Sequence, residues 1–173
     1  MKPSRTHQLA LYGILIALAF ILSWLETLLP NPLEGMVPGI KLGLANLVVI
    51  IALYQLSTPA SITISLIRVL LTSFTFGNLS MFFYSFAGAV LSLIMMISLK
   101  QFKHFSSTGI SIAGGLSHNL GQIIVAMLVL GSSLFYYLPY LLIGGCISGL
   151  LIGLLASLIL QHLPKNLPQK KSS

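Results

Sequence analysis

Residues 79–99 read LSMFFYSFAGAVLSLIMMISL, an apolar stretch without one charged side chain, closed by Lys100. About 20 such residues in a row are what an α-helix needs to cross the hydrocarbon core of a bilayer. Strands of a membrane barrel would instead alternate apolar and polar residues over about ten positions. The stretch does not alternate, so it predicts a membrane-spanning helix.

Working outward, the same pattern recurs. Toward the N-terminus, a third helix is expected over about 60–76, ending near Gly77-Asn78, and a second over about 42–56, ending at the Ser57-Thr58-Pro59 break. Between 26 and 41 lie Pro30, Pro32, Gly35, Pro38 and Gly39, which predict a loop or re-entrant turn, because proline lacks a donor and cannot continue a helix. The first run, about 9–25, follows Lys2, Arg5 and His7 in the manner of a signal peptide. It is longer than a typical signal core and is followed by no small-x-small cleavage site, so it predicts a retained helix. Toward the C-terminus, a basic segment from Lys100 to Ser107 leads to a fifth helix over about 110–130. The Gly131-Ser132-Ser133 turn leads to a sixth over about 134–161, in which Pro139 predicts a kink or a short separate turn. Residues 162–173 carry Pro164, Lys165, Pro168, Lys170 and Lys171 and predict a disordered cytoplasmic tail.

The whole composition agrees. Of 173 residues, 56% are hydrophobic and 6% charged, and the mean hydropathy is +0.99. A soluble domain carries about 25% charged residues to solvate its surface. Six helices of about 20 residues use roughly 120 positions, leaving no room for an extramembrane domain. The expectation is an all-α, polytopic membrane bundle of six transmembrane helices, forming a single membrane domain over residues 1–173.

Charge placement sets the orientation. The net charge is +7, from nine Lys/Arg against two Glu and no Asp. With the N-terminus inside, Lys2, Arg5, Lys100, Lys103, Lys165, Lys170 and Lys171 all fall on inside segments, and the outside loops hold only Lys41 beside both glutamates. That split follows the positive-inside rule and places both termini in the cytoplasm. The basic residues flank membrane helices instead of forming a nucleic-acid face, so no nucleic-acid partner is expected; the partner is the lipid bilayer. The single Cys146 excludes an intrachain disulfide and a cysteine-based metal site, and it reads as a small packing residue.

Arg68 sits near the middle of the third helix, with Ser61, Ser65, Thr72 and Thr75 at offsets that share its face. A charge at membrane depth costs about 2.5–3.5 kcal/mol on insertion scales and usually faces protein or a water-filled cavity. The stripe suggests a lined binding cavity; the alternative is a structural ion pair with Glu26 or Glu34. On the fifth helix, Gly114, His118 and Gln122 form one row, and Ser111, Gly115 and Asn119 form the adjacent one. Such polar groups suit either a ligand site or interhelical hydrogen bonds. His118 lacks the acidic or cysteine neighbours of a metal site, and His7, His104 and His162 lie at helix ends, which disfavours haem; neither a metal nor a cofactor is expected. Lys41, before Ala45 and Asn46, forms with Glu26 and Glu34 an outward-facing charged set. That set is either interfacial anchoring or a lid over an outward-opening site. Gly145, Gly149, Gly153 and Ser157 form a small-residue ridge on the sixth helix, and Ala10, Gly13 and Ala17 a shorter one on the first. Each is expected to pack inside the bundle, with docking of a partner as the alternative.

Three segments carry a resemblance: Pro38-Gly39-Ile40-Lys41-Leu42-Gly43-Leu44-Ala45-Asn46, Gly114-Gly115-Leu116-Ser117-His118-Asn119-Leu120-Gly121-Gln122, and Tyr137-Leu138-Pro139-Tyr140 followed by Gly144. Together they resemble the bacterial family called heptaprenyl diphosphate synthase component I, also catalogued as the Gx transporter family. That family is similar to the substrate-binding S-components of energy-coupling factor (ECF) transporters. The resemblance implies a bacterial cytoplasmic membrane protein with an outward-facing site, capped by the loop after the first helix. It also implies a first helix that meets a coupling subunit through small residues, here Ala10, Gly13 and Ala17.

The expected function is therefore a membrane substrate-binding subunit for a small polar-headed or anionic ligand: an isoprenoid, a quinone or a flavin-related molecule. The ligand set would be Arg68, His118, Asn119, Gln122, Lys41, Asn46, Glu26 and Glu34. No phosphate loop of the Gly-x-x-x-x-Gly-Lys-Ser/Thr kind is present, so energy would come from ATPases acting through the coupling subunit. Two alternatives stand beside it: a redox component of flavin- or quinone-linked extracellular electron transfer, or an accessory subunit of a prenyl diphosphate synthase. Prenyl transfer needs Mg²⁺ held by paired aspartates. A chain without Asp is not expected to be the enzyme.

Overall fold

A computed structural model of the chain describes residues 5–28, 43–102 and 104–163. Among these residues the only regular elements are helices: α1 (Arg5–Leu28), α2 (Ala45–Gln55), α3 (Thr58–Phe76), α4 (Leu79–Gln101), α5 (Ser107–Leu130) and α6 (Leu138–His162), with a 3-10 turn at Ser132–Tyr137 before α6. Of the expected loop over 26–41, residues 26–28 instead continue α1, and of the expected tail over 162–173, His162 ends α6; 29–41 and 164–173 lie outside the described residues.

Local chemistry accounts for the boundaries. The side chains of Ser57, Asn78 and Ser106 accept the amides of Ala60, Met81 and Gly109, starting α3, α4 and α5. Each satisfies a first-turn donor that has no partner within the helix. Gly131, with φ 106°, ends α5. Pro139 lies in the first turn of α6, where its missing N–H costs nothing. The predicted sixth helix is thus divided into a 3-10 turn and a helix, as Pro139 suggested.

Among the described residues five helices are long and apolar enough to cross a membrane, and α2 is not. Its 11 residues rise about 16 Å at 1.5 Å per residue, roughly half the hydrocarbon thickness. This corrects the expected helix over 42–56. Gly43 has φ 86°, a conformation that glycine adopts at no steric cost and that no α-helix contains, so the helix begins only at Ala45.

The shortness of α2 follows from its place. It is apolar all round, and Ala45, Val48, Val49, Ile50, Ala52 and Leu53 are at most 1% exposed. A helix with no polar face must be enclosed. Val48 and Ala52 share a core with Ala19 of α1 and Ile64 of α3. Val49, Ile50 and Leu53 share another with Leu93 and Met96 of α4, Ile110 of α5 and Ala156 of α6. Thus α2 is an internal half-helix, with the five long helices around it.

The long helices close around it with α5 packed between α4 and α6. The ridge Gly145, Gly149 and Gly153 is buried against α5, with Ser157 half-buried at its end. A Cβ on Gly115 would stand 2.5 Å from the Gly145 carbonyl oxygen, so the two backbones touch, as small residues permit. The α1 ridge behaves otherwise. Ala10, Gly13 and Ala17 are exposed, and a Cβ on Gly13 would meet nothing within 4 Å. The expectation that this ridge packs inside the bundle is corrected: α1 turns its buried face, Ala19, Ser23 and Glu26, the other way. Cys146 is also exposed, on the outer face of α6, and is no packing residue.

Candidate functional site

The polar stripe of α3 points inward for most of its length. Ser61, Ser65, Arg68 and Thr72 are buried, at 0, 1, 5 and 3% exposure. Thr75, one turn further toward the helix end, is exposed. Two of the hydroxyls serve their own helix: Ser61 donates to the Thr58 carbonyl and Thr72 to the Arg68 carbonyl. What remains for chemistry is the guanidinium. Its Nη2 donates to Asn46 Oδ1 at 3.0 Å, and its Nε has no acceptor among the described residues.

Asn46 belongs to the first turn of α2, and Glu26 of α1 reaches the same place. Buried at 6% exposure, Glu26 accepts the Gly43 amide through Oε1. The carboxylate and the Arg68 guanidinium thus each bond to the head of α2, one at Gly43 and the other at Asn46. A carboxylate here complements the partial positive charge at the head of α2, where no side chain of the helix's own N-cap forms a bond. Three helices thus bring Arg68, Asn46 and Glu26 to the N-terminal end of the buried half-helix.

The two rows of α5 face different neighbours. Gly114, His118 and Gln122 meet α4: a Cβ on Gly88 would stand 3.0 Å from His118 Cε1 and 2.9 Å from Gln122 Cγ. Ser111, Gly115 and Asn119 meet α6, and Asn119 Nδ2 donates to the Leu141 carbonyl at 2.7 Å. His118, Asn119 and Gln122 are all buried, at 6, 5 and 3% exposure. A small cleft lined by Gly43, Asn46, His118, Asn119, Ser148 and Ile152, among others, joins α5 and α6 to the head of α2. Arg68 reaches the cleft wall through its bond to Asn46. The cleft has room for about one water, so a larger ligand enters only if side chains move aside.

Of the predicted ligand set, Arg68, Asn46, Glu26, His118 and Asn119 converge on this region, and Gln122 lies one turn further along α5 toward α4. Lys41 and Glu34 lie outside the described residues. Sequence reasoning passed over Gly43, whose amide binds Glu26 and whose position in Lys-Leu-Gly-Leu-Ala-Asn was the available signal. It also passed over Lys100, taken as a cytoplasmic flank. Lys100 Nζ donates to the Leu53 carbonyl in the last turn of α2 and lies 5.3 Å from the centroid of Tyr54. Among the described residues no three His, Cys, Asp or Glu side chains gather as a metal site would require.

The family model described as heptaprenyl diphosphate synthase component I matches residues 15–159. The chain belongs to that family. The matched range runs from within α1 to the last turn of α6, so it includes every described residue of the cluster. Comparison with curated proteins and with solved structures returns no match. The family description names a component of a synthase, and the long apolar helices are those of a membrane protein.

Proposed function

We propose that the chain is a non-catalytic membrane binding subunit, similar to the S-component of an ECF transporter. It would hold the anionic or strongly polar head of a small ligand at the Arg68, Asn46, His118, Asn119 and Gln122 cluster, beside Glu26. The observation that supports this is the convergence of buried polar side chains from four helices on the head of a half-length helix. A purely structural bundle has no need to bring a charge there, at several kcal/mol if unpaired. Ligand bodies of isoprenoid, quinone or flavin-precursor type would lie along the apolar helix walls. The chain would form one domain in the bacterial cytoplasmic membrane, with six inserted helices, α2 being a half-span, and both termini inside. Its exposed row Ala10, Gly13 and Ala17 would meet a coupling subunit.

The test is co-purification. The protein extracted in mild detergent should carry a small molecule detectable by mass spectrometry, lost in Arg68→Ala or His118→Ala. An empty wild-type preparation, with uptake unaffected by either change, would refute the proposal.

The family description favours a second function, an accessory subunit that holds a soluble prenyl synthase at the membrane. Pull-down from native membranes separates the two: ATPases and a coupling subunit support the first, a prenyl synthase the second.

A further inference from the structure

Glu26 is the only acidic side chain among the described residues, and it sits where a bound anion would. It takes the Gly43 amide at the head of α2, where Asn46 holds Arg68. The guanidinium, for its part, is under-used: it is 5% exposed, its Nη2 meets only the neutral amide oxygen of Asn46, and its Nε finds no acceptor among the described residues. A guanidinium offers five donors in a fork suited to an oxyanion. Two anions cannot share the head of α2 at low dielectric without strong mutual repulsion. A ligand oxyanion and the Glu26 carboxylate therefore exclude each other.

One more group completes the arrangement. Ser23 lies three residues before Glu26, on the same face of α1. It is 1% exposed, and its hydroxyl has no partner among the described residues. A hydroxyl buried without a bond is destabilising, and a carboxylate retracting along α1 would satisfy it.

We propose that the Glu26 carboxylate is a built-in occupant of the site, displaced toward Ser23 when the oxyanion of the ligand engages Arg68 and the head of α2. This inference rests on the binding function proposed above and narrows the ligand to one with a compact oxyanion, a phosphate or a carboxylate. Competition of this kind lowers apparent affinity by the fraction of time the site is vacated. Removing the competitor restores it.

The experiment measures binding to the full chain in detergent by native mass spectrometry. The probes are geranyl diphosphate, geranic acid and, as uncharged control, geraniol. Glu26→Gln should bind at least one charged probe about tenfold more tightly than wild type, as a site occupied by Glu26 about nine-tenths of the time requires. Arg68→Gln should lose that probe, and geraniol should respond to neither change. Which charged probe gains identifies the kind of oxyanion. Ser23→Ala, a variant that adds no bulk or charge, should bind the charged probe more weakly than wild type, because the displaced carboxylate loses its resting place. Arg68-dependent binding that Glu26→Gln leaves unchanged or weakens, or that Ser23→Ala leaves unchanged, overturns the displacement while the site itself stands. Failure of both charged probes to bind any variant overturns the site and the displacement together.

Discussion

Arg68 and Asn46 carry most of the chemistry at the residue scale. Removing the guanidinium deletes at least one charge-assisted hydrogen bond, worth about 1.5–3 kcal/mol, so Arg68→Gln should weaken ligand retention by about 10- to 150-fold. Titration of the purified variant against wild type checks this. Glycines give a paired test of packing. Gly115→Ala places a methyl 2.5 Å from the Gly145 carbonyl, where only backbone movement can relieve it, and should destabilise the bundle by about 1–3 kcal/mol. Gly13→Ala meets open space and should instead stabilise α1 by up to about 1 kcal/mol through helix propensity. Thermal unfolding in one detergent compares the two. The burial of Arg68 was legible because offsets of three, four and seven put Ser61, Ser65 and Thr72 on its face. The exposure of Thr75 was not, because periodicity tells which residues share a face but not where the neighbouring helices end.

Helix α2 is the element on which the architecture turns, and charge reaches it at both ends. Glu26 stands at its N-terminus and Lys100 at its C-terminus, each on the favourable side of the helix dipole. Lys100→Met keeps much of the apolar stem but leaves the Leu53 carbonyl without its donor. A loss of about 1–2 kcal/mol is expected at such a partly buried terminus, seen as a lower unfolding temperature, whereas Lys100→Arg should recover most of it. The existence of α2 was legible from the run Leu42 to Leu56. Its length was not, because only the positive φ at Gly43 shows that the helix begins after that residue. The bond from Lys100 was hidden for a similar reason: a lysine after an apolar run looks like a membrane flank, and its reach back to Leu53 spans 47 residues. The α1 ridge also needed the fold, since a row of small residues looks the same whether it meets a helix of the bundle or faces outward.

For the whole molecule, the account requires a bundle whose long helices shield a polar interior from lipid and leave the outer face of α1 open. Orientation is testable directly. In a Cys146→Ser background, a membrane-impermeant maleimide added to intact cells should label Ser133→Cys and should reach Ser57→Cys only after permeabilisation; the reverse pattern would invert the topology. The central claim, however, is that the cluster at the head of α2 holds the ligand. An experimental structure of the protein with its co-purified ligand tests this most directly. The account predicts the head group in contact with Arg68 and the cleft beside Asn46 and His118. A head group seated elsewhere, with Arg68 still bonded to Asn46 and shielded from it, would contradict the account.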